Sequence, residues 1–351
     1  MIASGAVASG AAGPVDTGPG ALRALRALAR SATARVVAIR LLSAVPVLWG
    51  VSFLTFILLN LLPGDAASSI LGLNATPQEL AALRAKLGLN EPFFTRYGHW
   101  LGGVLSGHLG ASLISGQSVS SILSQRIPVT LELIGYAFVL SVAFAVPVAV
   151  LSARRPRGIF DRISIWLSML GLATPNFVLA IVLILVLSVH LNLLPPIGYT
   201  SPSADLAGNL KFLLMPAISI AFGLFCAYNR LLRADIVEQL QREDYVVFAR
   251  AKGIAPRRVL VRHATRNSLF GLITIVAVNA GTLIGATVII EQIFALPGIG
   301  QELISAISQK DVPLVEGIVV VFAVVVVLAN LVADLLYAVL DPRIRYGGRG
   351  A

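Results

Sequence analysis

The stretch EDYVVFARAKGIAPRRVLVRHATRN, Glu243 to Asn267, carries six Lys/Arg side chains in a chain where charged residues make up only 13%. Its surroundings are oily: 57% of the 351 residues are hydrophobic, against about 45–50% in soluble domains. Asp244 suits a helix start, where a carboxylate meets the positive end of the dipole. Tyr245, Phe248 and Ala249 then share one face at i, i+3 and i+4. Arg250 and Lys252 fall toward the C-terminal end, where cations are favoured, and Gly253 is a natural residue just beyond it. Pro256 fits the first turn of a second helix, which carries Val259, Leu260, Arg262 and His263 toward the next apolar run. The spacing predicts a short helix, a glycine turn, and a helix leading into a membrane.

Two readings of the short helix stand open. It is a solvated basic loop or an amphipathic helix lying on anionic lipid, or it is a face for a protein partner. For the second, Tyr245 and Phe248 supply apolar anchors, and the small Ala249 and Ala251 let another backbone come close. The length of roughly two and a half turns and the stop at Gly253 favour a partner.

Working outward, six apolar segments reach the roughly 20 residues that a spanning helix needs: about 38–62, 132–153, 163–190, 213–233, 268–292 and 314–339. The basic residues between them sort by side. Arg23, Arg26, Arg30, Arg35 and Arg40 accompany the first segment, and Arg154, Arg155, Arg157 and Arg162 follow the second. Nine more lie between Arg230 and Arg266, and Arg343, Arg345 and Arg349 close the chain. These are 21 of the 27; Arg84, Lys86, Arg96, Arg126, Lys211 and Lys310 fall on the other side. The positive-inside bias predicts a multi-pass membrane protein with both termini and the opening stretch in the cytoplasm. It also accounts for the net charge of +10 without nucleic acid as a partner.

The expected fold is an all-α integral membrane protein of six transmembrane helices, with an external helical loop and a cytoplasmic helix. Residues 1–37, rich in Ala, Gly, Ser and Pro, read as a disordered cytoplasmic tail. The membrane domain covers 38–345, with the external loop at 63–131 and the cytoplasmic loop at 234–267; residues 346–351 form a C-terminal tail. In the external loop, Thr76-Pro77-Gln78-Glu79 has the form of a capping box. Gly88 ends that helix, and Pro92 opens another bearing Phe93, Tyr97, Trp100 and Leu101. This is a helical cap over the bundle or a docking surface for a soluble partner.

Catalytic chemistry is hard to find. Cys226 is the lone cysteine, and His99, His108, His190 and His263 are not spaced as metal-binding pairs, so neither a metal site nor a catalytic constellation is expected. An intramembrane enzyme would need a nucleophile with a base, and a secondary carrier would show inverted repeats and charges deep in its spans. No phosphate-binding loop of the form G-x-x-x-x-G-K-[ST] occurs. Polar residues within spans are functional candidates because hydrocarbon penalises them; Glu132, Asn176, Asn279, Glu291, Asn330 and Asp334 qualify. Asn can equally bond between helices, and Gly281 and Gly285, four apart, have the spacing of close helix packing. Pro175 is expected to kink the third span.

An ordered set of motifs resembles a known family. Asp244-Tyr245-Val246, Ala249-Arg250-Ala251-Lys252-Gly253, Arg262-His263 and Arg266-Asn267 are similar to the cytoplasmic coupling loop of ABC importer permeases. They are closest in form to the first permease subunit of the dipeptide/oligopeptide/nickel group. Leu62-Pro63-Gly64-Asp65, Leu87 to Phe93, Gly107 to Ser112, Pro128 to Leu133, Leu194 to Tyr199, Glu291 to Phe294, Leu296 to Gly300 and Asp341-Pro342-Arg343 extend the likeness over about 38–345. Of the general Glu-Ala-Ala pattern only Ala249 and Gly253 match; Thr265, Ala255 and His108 replace an expected Leu, Ser and Asp. The resemblance implies that Asp244, Tyr245, Phe248, Ala249, Arg250, Ala251, Lys252 and Gly253 couple the chain to cytoplasmic ABC ATPase subunits. Those subunits would hold ATP and Mg, leaving this chain without a cofactor. It further implies a second homologous permease, an external solute-binding protein, a bacterial inner membrane and surrounding lipid. Peptides are the implied cargo, with nickel or another small solute as the alternative.

Overall fold

The computed structural model describes residues 19–61, 66–72 and 75–340. Its contacts divide the chain into two units, Met1–Ala44 and Val45–Ala351. The described part of the first unit is the opening of helix α1 (Pro19–Leu61). The disordered tail expected over residues 1–37 is thus corrected from Pro19 onward. That stretch is rich in Ala, Leu and Arg, the strongest helix formers. Residues 1–18 and the 346–351 tail lie outside the described residues.

The second unit carries the rest of α1 and then three short helices, α2 (Ala66–Leu71), α3 (Pro77–Lys86) and α4 (Phe93–Leu105). The capping box forms as expected. Glu79 N–H donates to Thr76 Oγ1 at 3.3 Å, and Thr76 N–H donates to Glu79 Oε2 at 2.9 Å. The Thr76 N–H first, and then the Thr76 hydroxyl, which donates to Glu79 Oε2 at 2.8 Å, hold the Glu79 carboxyl below its usual value. Gly88, at φ +66, ends α3, with Leu89 N–H returning to Arg84 C=O at 3.0 Å. Helix α4 closes on α1 through Phe93 and Tyr97, whose rings stand edge-on to Phe56 at 4.9 and 5.3 Å.

The membrane core follows: α5 (Val119–Arg154), α6 (Ile159–Ala173), α7 (Asn176–Leu183, continuing as a π-helix to His190) and α8 (Leu206–Arg242). Next come α9 (Asp244–Ala251), α10 (Pro256–Arg258), α11 (Thr265–Ile293), α12 (Ile299–Gln309) and α13 (Val312–Leu340). Among the described residues five helices are long and apolar enough to cross a membrane, or six if α6 and α7 count as one span. The helices overrun the apolar segments read from the sequence. Residues 119–131, assigned to the external loop, are the first turns of α5. Its polar Ser120, Ser121, Gln125 and Arg126 lower the local hydropathy, yet Val119, Ile122 and Leu123 are buried against Ile299, Leu314 and Ile318.

At Pro175 the expected kink is a break: α6 and α7 meet at 103°. Thr174 is extended at φ −89, ψ 120, as the residue before proline prefers. Its hydroxyl and its N–H both donate to the Leu170 carbonyl, at 2.8 and 3.0 Å, closing the last turn of α6.

Helices α5 and α8 run parallel and form the spine. Leu133 and Ala137 cluster with Leu213 and Ala217 at one end, and Ala149 and Ala153 with Leu232 and Ile236 at the other. Every fourth residue of α5 along this seam is small and buried: Ala137, Ser141, Ala145, Ala149 and Ala153. Without bulk between them the two backbones come close, which is how membrane helices gain packing energy when lipid supplies no hydrophobic drive. Helix α11 runs back between α8 and α13. At the end of the core remote from α9, buried Asp311 accepts hydrogen bonds from Ser112 Oγ and, at 3.1 Å, Leu113 N–H, pinning the 107–118 loop to the start of α13. There too Tyr199 donates to Glu132 at 3.1 Å; burial first, then that carboxylate, pushes its phenol up to about 12.

Candidate coupling and pathway site

Helix α8 ends at Arg242, extended Glu243 turns the chain, and α9 begins at Asp244. Its exit is a Schellman motif. Gly253 N–H donates to Arg250 C=O at 2.9 Å and Ile254 N–H to Ala249 C=O at 3.2 Å. Gly253 sits at φ +72, and its backbone angle alone demands glycine, because a Cβ there would meet nothing within 4 Å. Pro256 then opens α10, a π-helical turn spans Val259–Ala264, and α11 continues without interruption. Thr265 Oγ1 donates to Leu260 C=O at 2.9 Å, so the hydroxyl that replaces an expected Leu serves the carbonyl of the wide turn. From Pro256 to Ile293 the chain is one 38-residue helical rod, roughly 57 Å at 1.5 Å per residue.

The eight residues of α9 divide into two faces. Val246 is fully buried and Ala249 nearly so, packed on Val259 with Leu240, Tyr245 and Ile254 around them. Tyr245 is half-buried, and its hydroxyl donates to Gln239 Oε1. Burial pushes the phenol up, while a hydrogen bond with Asn267 of α11 works against the shift. Val247 and Phe248 point outward at 59% and 68% exposure. Asp244, Arg250, Ala251, Lys252 and Gly253 are exposed as well. The single face expected from Tyr245, Phe248 and Ala249 is corrected accordingly. Ala249 and Tyr245 grip this chain's own core, and of the two aromatic residues only Phe248 is presented outward.

The polar candidates of the spans are not gathered into one pocket. Gly281 faces α13, where a Cβ would lie 3.4 Å from Asn330 Oδ1, so these two candidates do meet. A Cβ on Gly285 would meet nothing within 4 Å among the described residues outside its own turn of helix. Asn176 Oδ1 lies 3.1 Å from where a Gly223 Cβ would be, and Asn279 donates to the Tyr228 hydroxyl at 3.4 Å. The open face of α11 carries Val278, Thr282, Gly285 and Ile289 at helical spacing, all exposed. The outer face of α6 carries Ile163, Trp166 and Leu170, exposed by 60%, 73% and 64%. The α6 face is bulky and apolar throughout, as suits lipid, whereas the α11 stripe mixes Val278 and Ile289 with Thr282 and Gly285.

Glu291 is fully buried and caps a helix. Its Oε1 accepts from Thr130 Oγ1 at 2.7 Å, and its Oε2 from the N–H groups of Gly300 and Gln301 at 2.7 and 3.1 Å. Thr130 Oγ1 in turn accepts Ile299 N–H at 2.9 Å. The carboxylate therefore closes the first turn of α12, where free N–H groups and the helix dipole favour an anion. Gly298 and Gly300 leave it room, since a Cβ at either would collide with it. Glu291→Ala strands two buried N–H groups, each on the order of 1–3 kcal/mol. A lower melting temperature of the purified protein is the expected result, with Glu291→Gln in between; an unchanged melting temperature for the alanine variant would contradict the capping role.

A polar seam between α6 and α8 escaped the sequence reading. Asp161 accepts a bidentate pair from Arg233 at 2.7 and 2.8 Å and the Arg157 N–H at 2.8 Å. One turn further, Asn229 Nδ2 donates to Ser164 Oγ and Ser168 Oγ, both at 2.8 Å, and Gly171 then lets Cys226 and Phe222 close in. The only signal in the sequence was the spacing of Asp161, Ser164, Ser168 and Gly171 along one helical face.

Residues 145–346 match the family described as binding-protein-dependent transport system inner membrane component, and residues 33–134 match its N-terminal family. The chain is 37% identical over 307 residues to a probable peptide ABC transporter permease protein of Sinorhizobium fredii, covering 88% of this chain and 98% of that one. It is 35% identical over 310 residues to the oligopeptide transport system permease protein AppB of Bacillus subtilis, with the same coverage of each. With the dipeptide transport system permease protein DppB of Lactococcus lactis it shares 34% identity over 293 residues, 83% of this chain and 93% of that protein. A glycine-terminated helix beside a membrane-spanning rod and matches that together run through both halves of the chain lead to one conclusion: this chain belongs to the family of inner membrane components of binding-protein-dependent transport systems.

Proposed function

We propose that this permease is one of two membrane halves of an ATP-driven peptide importer, and that α9 is the handle by which separate ATPase subunits move it. The observation that carries the reading is the outward Phe248, 68% exposed, on a short helix whose other face is clamped by Val246 and Ala249. An aromatic side chain held out by a fixed support is the kind of anchor that dominates protein interfaces. The Schellman turn at Gly253 joins this support to the 38-residue rod, so displacement of α9 passes toward the far end of the core as a two-state motion biased by nucleotide. ATP and Mg belong to the ATPases in this scheme.

The end carrying α9 is the cytoplasmic one on the positive-inside bias, and both termini lie with it in the bacterial inner membrane. The open stripe of α11, with Thr282 and Gly285, and Asn330 beside Gly281, face the second homologous permease and the route between the halves. An external solute-binding protein delivers cargo at the remote end, over α3 and α4. The three relatives described are named for peptide, oligopeptide and dipeptide transport, which favours peptides as cargo. The decisive experiment co-reconstitutes the chain with its partner subunits and offers labelled dipeptides, oligopeptides and nickel ions in parallel. ATP-dependent peptide accumulation is the expected result; accumulation of nickel without peptide would reassign the cargo.

A further inference from the structure

A cavity of about 640 Å³ opens where the end of α5, the C-terminal half of α9 and the α10 turn come together. Arg154, Arg155, Arg250 and Arg257 line it, and among the described residues no carboxylate does. None of these four side chains has a hydrogen bond or ion pair among the described residues. The remaining wall is apolar, and two of its residues are open to the surroundings: Leu151 at 51% and Val261 at 53% exposure. A second cavity of about 480 Å³ shares Leu151, Arg154 and Arg155 and extends the apolar wall to Ile159, which is 80% exposed.

We propose that this cavity binds the phosphate headgroup of an anionic phospholipid. Four uncompensated guanidinium groups call for an anion, and phosphate oxygens match their paired donors. The apolar wall calls for hydrocarbon in the same ligand. Leu151 belongs to a membrane-spanning helix and Arg154 ends it, so the boundary between the two chemistries lies at the depth where a headgroup meets its acyl chains. A free nucleotide or an acidic protein loop would use the arginines and leave that wall bare. Because Arg250 is on α9 and Arg257 on α10, the bound lipid ties both sides of the Gly253 turn to α5. The binding claim stands whether or not α9 couples to an ATPase.

The test uses the purified full chain in nanodiscs of phosphatidylglycerol and phosphatidylcholine in equal amounts, with the lipid retained after detergent exchange counted by mass spectrometry. Phosphatidylglycerol is expected to be retained over phosphatidylcholine by roughly tenfold, following the strong attraction of clustered basic residues for anionic lipid. The variant R154Q/R155Q/R257Q should fall to the bulk ratio, and R154K/R155K/R257K should keep most of the preference. A photoactivatable phosphatidylglycerol should label the wild-type chain at Leu151 or Val261, a readout that needs no variant to fold. Equal retention of the two lipids, or labelling elsewhere only, overturns the proposal. So does displacement by millimolar inorganic phosphate, which would make this a small-anion site. A folded glutamine variant that keeps its phosphatidylglycerol but loses its ATPase partner also overturns it, in favour of protein docking.

Discussion

Phe248→Ala is expected to abolish most ATP-driven uptake while leaving the chain folded in its membrane. Phe248 is 68% exposed and is not a member of the buried cluster under α9, so its removal costs the isolated fold little. A central aromatic anchor of an interface is worth about 2 kcal/mol or more, roughly a 30-fold loss of ATPase affinity at about 1.4 kcal/mol per decade. The variant should therefore melt with the wild type yet show ATP hydrolysis that no longer drives transport. Ala249→Glu would also stop transport, by a different route: Ala249 lies buried on Val259, so a carboxylate there lifts α9 from its seat and lowers the melting temperature. Comparing the two separates a lost partner from a lost support. Phe248→Ala complexes that transport at the wild-type rate would remove α9 from the coupling role.

The existence of α9 was legible because its signals are local: an acid at the start, glycine at the left-handed position, proline opening the next helix. Its orientation was not. Five consecutive apolar or aromatic residues, Tyr245 to Ala249, surround a helix of this length on all sides. Helical periodicity then names several faces equally well, and only the packing of Val246 and Ala249 on Val259 chooses between them. The spans were legible in number, because hydrocarbon imposes a length. Their ends were not, because α5 and α8 continue as helices wherever neighbours bury them. The break at Pro175 shows the same limit. Proline announces a disturbed helix, but whether the axis bends slightly or turns by 103° depends on what the second segment finds to pack against. In α7 that is Ala180, buried in the cluster shared by α5, α8 and α11. Glu291 was picked out as a polar group in an apolar span, yet its task depends on α12 folding back to offer its N–H groups. The glycines at 298 and 300 were the trace of that closeness in the sequence.

Arg233→Ala is expected to destabilise the fold more than any single change at the surface of the bundle. Asp161 is 1% exposed and Arg233 21%, and the guanidinium fork supplies two of the three hydrogen bonds that reach the carboxylate. Removing the arginine leaves a buried charge with the Arg157 N–H alone, and breaking such a pair costs about 3–5 kcal/mol. That is a large share of the roughly 5–15 kcal/mol by which folded domains are stable. Arg233→Lys keeps the charge but loses the planar fork, so it should fall between alanine and wild type. The double change Asp161→Asn with Arg233→Gln removes both charges together and should recover most of the lost stability, because the penalty lies in the orphaned carboxylate rather than in the absence of a pair. Melting of the three purified variants beside the wild type in detergent decides it. If the double variant melts no higher than Arg233→Ala, the carboxylate is not the source of the penalty. The seam then owes its strength to Asn229 with Ser164 and Ser168 and to the close approach at Gly171.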